Sequence, residues 1–185
     1  VGDVGARRSR RQARGRVERA GIAFMADFPR RLAPATLRLK ELIATRLGAP
    51  KLLFCHRRSS IDPSAPQTRR GRNCPTMLRE MIEQVDWCRY VAGMEPTSVV
   101  GIEHGTIDTQ DGDDYRMMSM DFSPSGKLGE GPIAQISCGR YLPDAWPEAV
   151  TFRPPAALQV CCERGLAFID LPATLVWFDA AGRHM

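Results

Sequence analysis

One stretch near the middle of the chain concentrates the side chains that could do chemistry. In "MLREMIEQVDWCRYVAGMEP", residues Arg79, Glu83, Asp86 and Tyr90 stand at positions i, i+4, i+7 and i+11, which places them along one face of a helix. A glutamate on such a face could accept a proton as a general base. The alternative is an inert Arg–Glu ion pair on a helix surface, worth about 0.3–0.5 kcal/mol. The spacing alone leaves both interpretations open.

Cysteines and acidic loops are the other places where a reactive or metal-binding site could lie. No two cysteines have C-x-x-C spacing, and most of them stand in apolar strand or helix segments, where a free cysteine behaves as a small hydrophobic residue. The sequence therefore predicts reduced thiols of a cytoplasmic protein and no zinc site. The acidic run "TQDGDDY" resembles part of a calcium loop, but the rest of that pattern is absent, so we interpret it as a solvated turn. The cysteines are Cys55, Cys74, Cys88, Cys138, Cys161 and Cys162.

Two amphipathic helices are predicted to position these residues. The segment "PATLRLKELIATRLG" has proline in its first turn, leucines at helical spacing and a terminal glycine, all typical of a helix. The helix of the opening stretch is predicted from Thr76 to Gly93. Its apolar stripe, expected to pack on a sheet, comprises Leu78, Ile82, Val85, Cys88 and Ala92.

Short strands account for most of the remaining chain. "KLLFCHR" is predicted as a strand, as are six segments after residue 96 that are separated by turn signals such as "PSGKLGEG" and "ERG". "GIAFMADF", residues 21–28, is also interpreted as a short buried strand. One-sided alternation in several segments indicates an antiparallel sheet covered by helices on one face. The predicted fold class is α+β, with a large, mostly antiparallel β-sheet and helices packed on one face.

Composition bounds the classes of function. The chain has 185 residues, enough for one ordinary domain, and a formal net charge of +5. Most of the excess lies in the arginine-rich residues 6–20, which contain no aromatic residues to stack on bases, so nucleic-acid binding is not expected. No apolar run approaches the ~20 residues of a membrane span, and no signal peptide is apparent.

The order of these elements resembles the C-terminal domain of the Gfo/Idh/MocA family, the relatives of glucose–fructose oxidoreductase and inositol dehydrogenase. "RRLAPATLRLKELIATRLGAPKLL" is similar to the family's R-F-x-P followed by a K-E-[LI]-I helix and a strand. "VDWCRYVAGMEPTSVVGI" is similar to its D-x-x-R-x-x-x-G-x-x-P helix end. "LQVCCERGLAFIDLPATLVWFDAAGRH" is similar to its late hairpin. Together the three passages span about residues 21–184.

The resemblance implies roles for particular residues. In the family this helix presents D-x-G-x-H-x-x-D to the nicotinamide and substrate, and its histidine accepts a proton from a sugar hydroxyl. The matching positions here keep the final aspartate as Asp86, replace the histidine by Glu83 and replace the first aspartate by Arg79. Glu83 and Asp86 are therefore the expected catalytic residues. Arg31, which matches the arginine of R-F-x-P, Arg79 and Tyr90 are the expected substrate-binding residues.

Two pieces of the family pattern are not found. A complete member begins with a Rossmann domain carrying G-x-G-x-x-G and an E-K-P motif, and neither motif occurs in this sequence. We therefore expect residues 1–20 to be a basic helical remnant or linker. Residues 21–185 would be the C-terminal α/β domain, cut short so that "WFDAAGRHM" ends in a turn without a partner strand. No cofactor is expected to bind this chain, and NAD or NADP is implied for the complete enzyme.

The resemblance implies the substrate-binding half of an NAD(P)-dependent oxidoreductase of sugars, polyols or related compounds, not active alone. The alternative is a non-catalytic binding or assembly module that has lost the family's histidine. The expected partners are a small sugar- or polyol-like substrate and a second copy of the chain, bound through the uncovered face of the sheet. Some of Met118, Met120, Phe122 and Trp177 are expected on that face.

Overall fold

The structure, a computed structural model, describes residues 12, 15–23, 25, 27–60, 76–105, 114–124, 127–142, 146–152 and 155–185. Its helices are α1 (Pro29–Leu32), α2 (Pro34–Leu42, continued by a π-helical turn, Ile43–Leu47), α3 (Thr76–Ala92) and α4 (Pro147–Thr151). Its strands are β1 (Pro50–Ser60), β2 (Ser98–Gly105), β3 (Asp114–Asp121), β4 (Ile133–Leu142), β5 (Leu158–Cys162), β6 (Leu166–Asp170), β7 (Thr174–Asp179) and β8 (Gly182–His184). Residues 15–20 are also helical. None of the described helices is long and apolar enough to cross a membrane.

All eight strands form one sheet in the order β2-β3-β4-β1-β5-β6-β7-β8. Among the described strands, only β1 and β4 pair in parallel, and the other neighbours are antiparallel. The long connection that a parallel pair requires contains α3, which packs against both strands of that pair. The predicted α+β class, with a large, mostly antiparallel sheet, is confirmed.

The core lies between one face of the sheet and helices α2 and α3. Side chains alternate across a strand, so each strand contributes every second residue to this face, and the residues it contributes are nearly all buried. β1, β4 and β5 supply Leu53, Cys55, Ala134, Ile136, Leu158 and Val160, and the helices add Leu39, Leu42, Trp87, Cys88 and Val91. α2 covers β6 and β7, while α3 covers β4 and β1.

The break between α1 and α2 has a local cause. Pro29 and Pro34 each occupy the first turn of a helix, where the missing N–H is harmless. Ala33, the residue before Pro34, is extended with φ −61° and ψ 135°, because a following proline disfavours the helical conformation. The short helix α1 therefore turns away from α2 and lies against α3.

The prediction of a strand over residues 21–28 is wrong. The described residues there form a turn at Gly21, with φ 62°, and an irregular segment. Ile22 is 65% exposed and Met25 86% exposed. Both edges of the sheet are formed by other strands, β2 and β8, so this apolar run pairs with no described strand.

The predicted assignment of apolar residues to faces needs two corrections. On α3, Leu78 and Ile82 of the predicted stripe are nearly half exposed, whereas Cys88 is buried and Val85 and Ala92 pack against the core as predicted. The helix also buries Met81, Gln84, Trp87 and Val91, which were not in the predicted stripe. In the sheet, Met120, Phe122 and Trp177 are buried on the helix-covered side, and Met118 packs against the same core. The cause is strand register: Met118 and Met120 pair with Ile136 and Ala134, which lie under α3.

The open face carries a different apolar set. It is formed by the alternate residues of the same strands and includes Leu52, Val100, Ile102 and Phe178, all more than a third exposed. The end of the chain also differs from expectation, because Gly182–His184 pairs with β7 as an eighth strand. The short helix α4 was not predicted.

Candidate functional site

Helix α1 contacts α3 through two consecutive arginines. The side of α3 that they contact, called here its polar face, carries Glu80, Glu83, Asp86 and Tyr90. Arg31 binds Asp86 with two of its guanidinium nitrogens: Nε donates to Oδ2 at 2.6 Å, and Nη2 donates to Oδ1. The Asp86 side chain is only 4% exposed, so both carboxylate oxygens are held inside the protein by one guanidinium. These hydrogen bonds raise the pKa of Arg31 above its ordinary value.

Tyr90 lies one turn after Asp86 and completes this part of the site. The Arg31 guanidinium carbon stands 5.3 Å from the centre of the Tyr90 ring and 5.6 Å from that of Phe28. Lys40 of α2 approaches the same tyrosine ring at 5.5 Å. All three distances are within the range of a cation–π contact. Arg31, Asp86 and Tyr90 therefore form one cluster.

Arg30 organises the other half of the polar face. Its Nη2 donates to Glu80 Oε2 at 2.6 Å and its Nε donates to Glu83 Oε2 at 3.2 Å. The guanidinium also lies 5.6 Å from the centre of the Trp87 ring, and the indole N–H of Trp87 is held by Thr36 Oγ1 at 2.9 Å. The Arg30, Glu80 and Glu83 side chains are each less than a quarter exposed. Arg30 thus fixes both glutamates from the side.

Glu83 retains one oxygen that faces a weaker partner. Its Oε1 lies 3.8 Å from Arg79 Nε, beyond hydrogen-bonding distance. The Arg79 side chain is 67% exposed, so it can move away from Glu83 at little cost. The i,i+4 pair expected from the sequence is therefore present, and Oε1 can accept a further hydrogen bond from a bound molecule.

A second ionic cluster lies at the C-terminal end of α3. Arg89 Nε and Nη2 donate to Glu95 at 2.9 and 2.5 Å, which raises the pKa of Arg89 and lowers the pKa of Glu95. Lys40 Nζ lies 3.4 Å from the Val91 carbonyl oxygen. Cations at this end offset the partial negative charge of the helix terminus. These groups and Tyr90 line a hollow of about 390 Å³.

A larger and mostly apolar hollow, of about 450 Å³, lies between α3 and the strands β2 and β3. Asp86 and Arg89 line it together with Glu103 and Arg116. Hollows of this size are typical of small-molecule sites. We call this cavity the apolar hollow. The apolar side chains that line it are Phe28, Leu78, Met81, Ile82, Val85 and Met118.

The described cysteines and histidines do not add a reactive group to this site. Burial raises the pKa of Cys162 to about 11, and a hydrogen bond with Cys55 together with burial raises the pKa of Cys88. A thiol with a raised pKa is a poor nucleophile at neutral pH. His56 lies on the open sheet face with its Nδ1 2.7 Å from Ser137 Oγ. In the part of the chain that the structure describes, no three His, Cys, Asp or Glu side chains come together to hold a metal ion.

The structure brings the five expected site residues onto one surface, where Arg31 contacts Asp86 and Tyr90 and Arg79 approaches Glu83. Sequence reasoning missed Arg30, Glu80, Lys40 and Arg89. The resemblance singled out only the second arginine of "PRRL". Glu80, three residues before Glu83, was the available signal for a second carboxylate on the same face.

Comparison with known proteins gives structural matches only. No family model matches the chain, and no curated protein matches it. Among solved structures, it is similar to a protein assigned as a dehydrogenase from Bordetella bronchiseptica RB50, with 14% identity and a TM-score of 0.64 over 91% of this chain and 56% of that one. It is also similar to an NAD-binding protein from Listeria innocua, with 15% identity, a TM-score of 0.65 and coverages of 91% and 48%. It is similar as well to a protein assigned as a myo-inositol dehydrogenase from Sinorhizobium meliloti 1021, with 19% identity and a TM-score of 0.59 over 94% of this chain and 50% of that one.

These similarities establish the fold. The chain spans about half the length of the structures that it matches. At identities below 20% the residues of the site are not carried over from any of these proteins. The resemblance to a Gfo/Idh/MocA C-terminal domain is thus confirmed at the level of the fold.

The described residues do not fit a nicotinamide dinucleotide. Such cofactors place their pyrophosphate at a helix N-terminus reached from a parallel strand by a glycine-rich turn. α2 begins with Pro34, which has no N–H, and the next N–H, of Ala35, already donates to the Pro172 carbonyl oxygen at 3.2 Å. α3 is preceded in the sequence by "GRNCP", which contains a single glycine.

Proposed function

We propose that this chain is the substrate-binding half of an NAD(P)-dependent oxidoreductase that acts on sugars, polyols or related compounds. The observation that carries the proposal is the cluster of ionic groups on α3, positioned by α1, in a domain with the fold of the dehydrogenase structures described above. A separate domain would bind the dinucleotide, because the described residues of this chain do not fit it. The chain is therefore not expected to be active alone.

The polar face suits a polyhydroxylated molecule. Hydroxyl groups both donate and accept hydrogen bonds, and the face offers carboxylate acceptors and guanidinium donors that are held by one another. Groups fixed in this way lose little conformational entropy when a ligand binds. Glu83 is the group we propose as proton acceptor, because its Oε1 makes no hydrogen bond within the described part of the chain.

Asp86 has a supporting role in this proposal. With both oxygens bound to Arg31 and its side chain almost fully buried, it fixes the guanidinium beside Tyr90. Arg31 itself is 37% exposed, so its remaining N–H groups can reach a ligand. In this arrangement Asp86 positions Arg31, and Arg31 and Tyr90 contact the substrate.

A second candidate function is a non-catalytic binding or assembly module. The observation that favours it is the open face of the sheet, where Leu52, Val100, Ile102 and Phe178 are exposed. Apolar patches of this kind commonly mark interaction surfaces. We propose that a second copy of the chain covers this face. Self-association of this kind is compatible with both candidate functions.

Titration calorimetry tests the proposal on the chain itself. With myo-inositol, D-glucose and D-sorbitol as separate titrants, we expect millimolar binding of at least one, and no binding of ethylene glycol at the same hydroxyl concentration. NADH and NADPH are expected to give no binding. Micromolar affinity for either dinucleotide would contradict the proposal that a separate domain binds the cofactor. Equal affinities for ethylene glycol and all three polyols would contradict the proposal that this chain binds the substrate.

A further inference from the structure

The apolar hollow lies directly beside the polar face of α3, and Asp86 belongs to both. Its apolar lining from α3 comes from Leu78, Met81, Ile82 and Val85, with Met118 opposite on β3. Leu78 and Ile82 are 44% and 45% exposed, and because they stand one helical turn apart they form a continuous exposed apolar strip on α3. A ligand bound at the polar face would therefore have apolar surface next to it.

Each of the four charged side chains that line the hollow is already paired. Asp86 binds Arg31, and Arg89 binds Glu95. Arg116 binds Glu103, with Nε–Oε1 and Nη2–Oε1 distances of 2.8 and 2.7 Å. A charged ligand group would have to break one of these pairs, whereas a neutral group would not. The hollow thus favours an uncharged, apolar group.

We propose that the substrate of this site is amphipathic: a sugar or polyol that carries a neutral apolar group of about the size of an aryl ring, which occupies the apolar hollow. This inference rests on the proposed function and narrows its substrate class. The hydroxylated part lies along Glu83, Arg31 and Tyr90, and the apolar part lies between α3 and β3. Burial of the apolar part stabilises the complex because it removes hydrocarbon surface from water.

A matched pair of ligands tests the inference. Methyl and phenyl β-D-glucopyranoside have the same sugar, so their difference in affinity reports the apolar group alone. We expect the phenyl compound to bind roughly tenfold tighter by calorimetry, with a negative heat-capacity change. Methyl-group NMR signals of Leu78, Ile82, Val85 and Met118 should shift with the phenyl compound and hardly move with the methyl compound.

Two variants with matched controls locate the effect. Ile82→Trp places a larger ring over the hollow on an exposed part of α3, and should remove the phenyl advantage without changing the affinity for the methyl compound. Ile82→Ala should reduce the phenyl advantage by about threefold. Leu37→Trp and Leu37→Ala change a leucine of similar exposure, 48%, on α2 outside the hollow, and should leave both affinities unchanged.

Benzyl alcohol separates failure of the inference from failure of the proposed function. The inference is overturned, while the proposed function stands, if the methyl and phenyl compounds bind with equal affinity. The same holds if the phenyl compound shifts the NMR signals of residues outside the hollow instead. If neither glucoside binds but benzyl alcohol shifts the methyl signals of these four residues, the proposed function is contradicted and the hollow remains a site for apolar groups. If benzyl alcohol does not shift them either, both are overturned.

Discussion

At the residue scale, the polar face of α3 depends on two arginines that the sequence places side by side. Arg30 binds Glu80 and Glu83, and Arg31 binds Asp86. The periodicity of α3 predicted that the acidic residues share a face, because helical spacing alone determines this. Their partners could not be predicted from spacing, since they come from a segment about fifty residues earlier in the chain.

Asp86→Asn is expected to lower the free energy of unfolding by about 1–3 kcal/mol. The change removes a nearly buried charge from a two-point contact, and the estimate is reduced because Arg31 is partly exposed to water. Urea unfolding measures the effect. The control is Glu41→Gln, which removes an exposed i,i+3 pair with Arg38 and should cost less than about 0.5 kcal/mol. Equal losses in the two variants would contradict the structural role of Asp86.

Glu83→Gln is expected to weaken polyol binding about tenfold, because a carboxylate accepts a hydroxyl hydrogen bond more strongly than an amide does. Glu80→Gln is the matched control, since Glu80 shares the Arg30 contact with Glu83 but was not predicted to bind substrate. Calorimetry of the two variants with the same polyol compares them. A change of less than about threefold for Glu83→Gln would leave Glu83 as an ion-pair partner only.

At the element scale, helices and strands followed from pattern wherever the local signal agreed with the tertiary environment. The proline-led helix α2 and the alternating strands β3 to β7 are examples. The prediction failed at residues 21–28, where apolar composition favoured a strand but the described residues form a turn and an irregular segment that pairs with no described strand. The sequence also did not predict β8, because its three residues are too few for a periodic signal and depend on pairing with β7.

The Asp121 carboxylate makes two hydrogen bonds within the turn from β3 into β4. Asp121 Oδ1 accepts from the Ser123 N–H at 2.7 Å, and Oδ2 accepts from the Gly129 N–H at 2.8 Å. The Ser123 side chain and backbone, and then the Gly129 N–H, lower the pKa of Asp121 below its ordinary value of 3.8. A carboxyl group whose pKa is lower in the folded than in the unfolded protein stabilises the fold fully at any pH above its unfolded-state pKa. That stability is lost as the pH falls through the folded-state pKa.

Asp121→Asn should therefore destabilise the protein at pH 7, and the difference from the unmodified chain should shrink as the pH falls below about 3.8, the ordinary aspartate value. Urea unfolding at a series of pH values measures both proteins. Asp170→Asn serves as a comparison, because Asp170 accepts one backbone hydrogen bond, from Ala157, and ends β6 outside this turn. A difference between unmodified and Asp121→Asn protein that persists unchanged at pH 2 to 3 would contradict the assigned cause.

At the scale of the whole molecule, the strand order decides which apolar residues are left open. Sequence reasoning expected an uncovered apolar face, and such a face is present, but it named the wrong residues. The alternation of a strand fixes which residues share a face, whereas its pairing register fixes which face the helices cover. Register between distant strands, such as the parallel pairing of β1 with β4, carries no local signal.

Neighbouring valines of β2 test self-association through the open face. Val100 lies on that face and is 66% exposed, while Val99 points to the opposite side and is 55% exposed. Sedimentation velocity at tens of micromolar should show that Val100→Glu shifts the chain to monomer and that Val99→Glu does not, since a buried unpaired charge is costly in an interface. A monomeric unmodified chain, or equal effects of both changes, would count against association through this face.

We propose that α3 and α1 present a binding surface for a polyhydroxylated substrate. Backbone NMR shift mapping of the chain during titration with myo-inositol and D-glucose measures this most directly. We expect saturable shifts at millimolar ligand that are concentrated at residues 30–31 and 79–95, and that disappear in Arg31→Gln. Shifts that are absent for both compounds, or that cluster on β6 to β8 instead, would contradict it.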